Sequence, residues 1–247
     1  MSLLATALGL SLLGSFGGLL VASSLLLFTD SVRTRLIPWL VSYAVGALLG
    51  VALLALLPEA LETLPSSRVF ATLLVGILIF FLLEKLVLLR HCHTDECHVH
   101  GAVVPLVLLG DAFHNFIDGA TVTAAVLTSV PLGINTAIAV AAHEIPQEVG
   151  DVAILLAAGY SRRRALLLNV LSGASGIAGA LVAYATVGVI PGVRPYILVL
   201  SSASLLYIAM SDLIPDLHRG AMDRGVRQVI LIAAGVVTVV LFERLLG

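Results

Sequence analysis

The sequence predicts an all-α membrane protein, and three observations carry that prediction. Hydrophobic residues fill 60% of the 247 positions and charged residues only 11%, less than half the roughly 25% of a soluble domain. Mean hydropathy is +1.11. The apolar residues fall into stretches of about 20, enough to cross a bilayer as a helix, separated by short turn-forming clusters. Connections this short make successive helices antiparallel neighbours and favour one domain over residues 1–247, with little chain left for a soluble part.

Eight spans are expected, near 4–28, 38–61, 68–89, 102–128, 133–158, 165–190, 195–215 and 227–246. The first lacks the basic start of a signal peptide and reads as a retained span. Thr29-Asp30 with Pro38 separates it from the second, and Pro65-Ser66-Ser67 opens the third. Val130-Pro131-Leu132-Gly133 divides the fourth from the fifth, Gly159-Tyr160-Ser161 the fifth from the sixth, and Pro191-Gly192 the sixth from the seventh.

The 13 Lys and Arg residues set the orientation. Arg33, Arg35, Lys85, Arg90, Arg162, Arg163, Arg164, Arg219, Arg224 and Arg227 fall on one side, and only Arg68, Arg194 and Arg244 on the other. The richer side is cytoplasmic, so both termini are expected outside, in a multi-pass protein of a plasma or inner membrane. No basic run exceeds Arg162-Arg163-Arg164, and the net charge of -2 gives no footprint for nucleic acid.

Between spans three and four runs a cytoplasmic loop with His91, Cys92, His93, Asp95, Glu96, Cys97, His98 and His100. Its cysteines are expected as reduced thiols. The spacing matches no closed four-ligand zinc site, so the loop reads as a labile metal station.

Two spans carry residues that do not belong in hydrocarbon. In the fourth, Asp111, His114, Asn115 and Asp118 occupy offsets 0, 3, 4 and 7, a stripe within about 100° of arc. In the fifth, His143, Glu144, Gln147, Glu148 and Asp151 form a slightly broader face. Neither stripe can face lipid, so they should face each other or a hydrated path. Imidazole nitrogen and carboxylate oxygen suit zinc, iron, manganese or cadmium. Asp118 and Glu144 supply negative charge against a 2+ ion, and ligand sets without thiolate release metal more readily. These features imply an ion path for a divalent metal. Asp111, Glu148 and Asp151 extend it, and Pro146 frees the Ala142 carbonyl inside the fifth span.

His114-Asn115-Phe116-Ile117-Asp118-Gly119 and His143-Glu144-Ile145-Pro146-Gln147-Glu148-Val149-Gly150-Asp151 resemble the two signature segments of the ZIP (Zrt-, Irt-like protein) metal transporters. Supporting matches are Leu56-Leu57-Pro58-Glu59-Ala60, Phe80 to Lys85, and Tyr207 to Asp212 with Pro215. The subgroup with an HExPHE signature is most similar. The resemblance implies eight spans, transport of zinc or a related divalent ion toward the cytoplasm, and a homodimer within lipid. It also implies a two-metal centre, with His114, Asp118, His143 and Gln147 at the first position and Asn115, Asp118, Glu144 and Gln147 at the second. Gln147 stands where the signature has His, Val51 and Ala55 where relatives place Asp and His, and Ser172 where some have a carboxylate. These departures weaken the second position.

Two alternatives stand beside transport. His143-Glu144-Ile145-Pro146-Gln147 is one residue from the HExxH zinc helix of a metalloprotease, lacking the second His. A membrane metal sensor would bind without flux. The transport reading, in which the protein is not an enzyme, accounts for both stripes.

Overall fold

The computed structural model describes residues 2–25, 27–89, 103–218 and 225–246, and every regular element among them is helical. His91, Cys92, His93, Cys97, His98 and His100 of the expected metal station lie outside the described residues. The elements are α1 (Leu3–Leu25), α2 (Asp30–Gly50), α3 (Leu57–Thr63), α4 (Ser66–Leu89), α5 (Val103–Thr128), α6 (Val130–Ala157), α7 (Arg162–Gly173), α8 (Ser175–Val189), α9 (Arg194–Ile208), α10 (Ile214–His218) and α11 (Gly225–Leu246).

Six helical runs among the described residues are long and apolar enough to cross a membrane: Leu3–Leu25, Thr34–Thr63, Ser66–Lys85, Arg162–Val189, Arg194–His218 and Gly225–Leu245. The other two long helices, α5 and α6, have 26 and 28 residues and carry the polar stripes. At about 1.5 Å per residue each exceeds the roughly 30 Å hydrocarbon thickness. The chain is therefore an all-α, multi-pass membrane protein.

Several boundaries differ from the sequence expectation. The second helix starts at Asp30, not 38, and Pro38 lies inside it. Ser129 caps α6 by accepting the Leu132 N–H at 3.2 Å, and Pro131 occupies the first turn, where its missing N–H costs nothing. The fourth and fifth spans are thus joined by one residue. The sixth is two helices, α7 and α8, meeting at Ala174. Gly159 and Gly192, with φ of 85° and 75°, make the two turns that need a left-handed backbone.

Two π-helical segments, Val51–Leu56 and Ala209–Leu213, join α2 to α3 and α9 to α10. Each ends two residues before a proline, Pro58 and Pro215. Proline removes one helical hydrogen bond and clashes with the carbonyl a turn earlier, and widening to i→i+5 relieves both.

Burial separates the helices by role. In the most apolar window of Thr34–Thr63, 72% of residues are buried, against 11% for Ser66–Lys85 and for Gly225–Leu245. The α2–α3 rod is therefore central, while α4 and α11 present Phe70, Leu74, Leu78, Val229 and Ile230 outward, as lipid-facing helices do. Leu48, Val51 and Leu56 meet Ala124, Ala125, Leu198 and Leu205 in the largest core.

Small residues set how closely the helices approach. A β-carbon on Gly119 would strike the Gly176 backbone, and one on Gly179 the Phe116 backbone, so α5 and α8 cross backbone to backbone. Gly14 and Gly18 let α1 lie close on α6 side chains: a β-carbon there would lie 3.1 Å from Val140 Cγ1 and 2.7 Å from Glu144 Cβ. These contacts hold α5 and α6 between α1 and α8, with their polar faces turned inward.

Candidate metal centre

His114 and Asp118 project from one face of α5, His143 and Glu144 from α6, and their ligand atoms converge. One atom from each of the four lies within 4.8 Å of every other. His114 Nε2 and His143 Nε2 are 2.9 Å apart, with rings nearly perpendicular. Asp118 Oδ2 is 3.0 Å from His143 Nε2 and 3.6 Å from His114 Nε2. Glu144 Oε1 is 3.5 Å from His143 Nε2 and 3.8 Å from His114 Nε2. In a tetrahedron with zinc bonds of 2.0–2.1 Å, ligand atoms are about 3.3–3.4 Å apart. The five distances bracket that edge, so small side-chain movements suffice to close on one ion.

The protonation pattern favours a metal. His143 Nδ1 faces the Ala139 carbonyl at 3.1 Å. A carbonyl only accepts, so Nδ1 carries the proton and the Nε2 lone pair points into the cluster. Both oxygens of Asp118 and both of Glu144 are buried without a hydrogen-bond donor. Buried acceptors without partners are costly, and a divalent cation would take one oxygen of each carboxylate and offset the charge of both. His114 is 16% exposed at its side chain while the other three are at most 1%, so it forms the accessible side of the cluster.

That side opens into a cavity of about 710 Å³. Asp111, His114 and Gln147 line its head, and Glu84, Asp151, Asp212 and Asp216 its walls; no Lys or Arg lines it among the described residues. Glu84 accepts a hydrogen bond from Tyr207 of α9. Val122 and Val126 of α5 pack with Ala137 and Val140 of α6 and Ala7 of α1 in an apolar cluster.

Asn115 and Gln147 are placed differently from the four. Asn115 Nδ2 and Gln147 Nε2 both donate to Asp111 Oδ1, at 3.0 Å each. Through their nitrogens these amides orient the Asp111 carboxylate, and Asn115 Oδ1 is left buried without a partner. Asp111 and Asp151 line the cavity, and Glu148 is wholly buried. Asn169 of α7, wholly buried with Oδ1 unpartnered, was not singled out by the sequence. Its signal was a polar residue three positions before Ser172 in an apolar span, on the same face.

The HExxH alternative needs a second imidazole where Gln147 stands, and that amide is engaged with Asp111.

Comparison with known proteins agrees with this arrangement. Residues 88–243 match the family described as ZIP Zinc transporter. The chain is 35% identical to zinc transporter ZIP13 of Pongo abelii over 220 residues, covering 83% of this chain and 66% of that protein. Against human ZIP13 it is 32% identical over 259 residues, covering 83% and 70%. Against human zinc transporter ZIP4 it is 46% identical over 110 residues, 44% of this chain and 17% of that protein. The chain thus spans about two thirds of the ZIP13 proteins and a small part of ZIP4. With a matching family over most of its length and the matched region containing both polar stripes, the chain belongs to the ZIP zinc transporter family.

Proposed function

We propose that this protein carries zinc, and related divalent ions such as iron, manganese or cadmium, across a membrane toward the cytoplasm. The observation behind this is the meeting of His114, Asp118, His143 and Glu144 at the head of a cavity, between two helices of membrane-spanning length. Its relatives ZIP13 and ZIP4 are named as zinc transporters, which supports zinc as cargo.

In this reading the single domain crosses eight times, as α1, α2–α3, α4, α5, α6, α7–α8, α9–α10 and α11, with both termini outside. The excess of Lys and Arg on the side of the α1–α2, α6–α7 and α10–α11 connections makes that side cytoplasmic. The cavity then opens to the cytoplasm and the Val122–Val140 packing lies on the outer side of the cluster, an inward-facing state. His114, Asp118, His143 and Glu144 hold the ion. Asn115 and Gln147 keep Asp111 oriented, and Asp111 and Asp151 mark the way out, toward the loop of His91, Cys92, His93, Cys97, His98 and His100. The protein works as a homodimer in lipid.

Uptake of radioactive zinc into proteoliposomes tests this. Uptake is expected in wild type and lost with His143→Ala and Asp118→Ala. Full uptake in both variants would remove the site assignment, and no uptake by wild type under a zinc gradient would remove transport itself.

A further inference from the structure

Another concavity lies on a different face of α5 from the metal cluster. It is a groove of about 230 Å³ whose floor is Ile197 and Ser201 of α9 and whose walls are Ile79 of α4 and Phe113, Ile117 and Ala120 of α5. Helix α9 holds both walls. A β-carbon on Gly76 of α4 would lie 2.6 Å from Ala203 Cβ, and Thr121 of α5 meets the Ser201 hydroxyl at 2.9 Å. Ile79, Phe113 and Leu200 are exposed, so the groove opens outward between α4 and α5. Apart from Ser201, already engaged with Thr121, its lining is apolar.

One end of this groove carries positive charge. Arg194 Nη1 donates to the Leu127 carbonyl of α5 at 3.1 Å. Leu127 is seven residues beyond Ala120 on α5, and Arg194 seven before Ser201 on α9, two turns in each case and on the same faces. The guanidinium therefore stands at the head of the α5–α9 seam, and this bond uses one of its five N–H donors. Arg68, an exposed residue, precedes Ile79 by eleven residues, three turns, and so shares that face of α4. Two of the three Lys and Arg residues that the sequence puts outside are thus placed at one end of one apolar groove.

The depth of the groove matches a lipid. From Leu127 to Phe113 the α5 helix runs about 21 Å, and one leaflet with its headgroups is about 20–22 Å thick. A helix is about 10 Å across, too wide to enter so small a groove. We propose that the groove binds a membrane phospholipid, with one acyl chain between α4, α5 and α9 and the phosphate at Arg194 and Arg68. Its place in the outer leaflet rests on the orientation proposed above. Phe113 and Ile117 directly precede His114 and Asp118, so the acyl chain packs against the stretch of α5 that carries two metal ligands.

The test reads lipid retention, so it succeeds or fails independently of flux. The full chain in detergent is titrated with phosphatidylglycerol and followed by native mass spectrometry. One lipid is expected to stay on each wild-type chain. Arg68→Gln and Arg194→Gln are each expected to weaken it about fivefold. Ile79→Trp, which fills the groove, should remove the lipid, whereas Ile230→Trp on the exposed face of α11 should retain it as wild type does. Diacylglycerol, which has the chains without the phosphate, should bind more weakly. The proposal is overturned if no lipid stays on wild type, if the two Trp variants retain lipid alike, or if neither Arg substitution changes the affinity. Conversion of dimer to monomer by Ile79→Trp, with no lipid on wild type, would give the groove to a second copy instead. Wild type that retains lipid but takes up no zinc would count against transport and leave this result standing.

Discussion

His114 Nε2 and His143 Nε2 face each other at 2.9 Å across the α5–α6 interface, and Asp118 Oδ2 lies 3.0 Å from the second of them. The Ala139 carbonyl holds the His143 proton on Nδ1, so this side of the cluster is set for a metal before one arrives.

A preset site that binds only when folded stabilises the fold. Zinc at 100 times its dissociation constant should add about 2.7 kcal/mol and raise the thermal midpoint in detergent. A chelator should reverse the shift. His143→Ala should abolish it while keeping the metal-free midpoint near that of wild type. A shift of equal size in the variant would place the stabilising ion elsewhere.

Neighbouring glycines on α1 provide a matched pair. A β-carbon on Gly18 would lie 2.7 Å from Glu144 Cβ, while one on Gly17 meets nothing within 4 Å. Gly18→Ala should therefore push α1 from α6 at the level of the cluster, costing about 1–3 kcal/mol and lowering zinc affinity, though it removes no ligand. Gly17→Ala should match wild type in both. Equal zinc-binding isotherms for the two variants would show that α1 does not set the position of Glu144.

The polar stripes were legible in the sequence because ionisable residues at helical spacing stand out in apolar spans, and His114, Asp118, His143 and Glu144 meet as that spacing implied. The partners of Asn115 and Gln147 were not legible. Residue type offers an amide oxygen to a metal and an amide nitrogen to a carboxylate, and the structure shows the nitrogens of both donating to Asp111 while Asn115 Oδ1 stays buried without a partner. Pro38 misled about the start of α2, because a central helix held by packing tolerates a proline that composition reads as a boundary. The turn at Val130–Gly133 proved to be the first turn of α6, since proline serves a helix start as well as a loop.

Close backbone approach also predicts stability. A β-carbon on Gly119 would overlap the Gly176 backbone, whereas Gly188 in α8 has nothing within 4 Å. Gly119→Ala should separate α5 from α8 and lower stability by about 1–3 kcal/mol or more. Gly188→Ala should be neutral or stabilising by up to about 1 kcal/mol, since alanine is the better helix former. Thermal midpoints of the purified variants decide. A Gly119→Ala midpoint equal to wild type would mean that the α5–α8 crossing is looser than its geometry indicates.

Gln147 offers the sharpest test of what the site lacks. It stands one turn from His143 on the same face of α6 and gives its amide hydrogen to Asp111 Oδ1 at 3.0 Å. Gln147→His removes that bond and adds an imidazole beside the cluster. Zinc affinity should rise about tenfold, equivalent to about 1.4 kcal/mol, and uptake should slow because a more tightly held ion leaves more slowly. Gln147→Leu loses the Asp111 bond without adding a ligand, so it should leave zinc affinity near wild type. Calorimetric zinc titrations on both variants, with uptake rates, separate the two effects. If both substitutions change affinity alike, the Asp111 contact governs binding and the added imidazole does not reach the ion.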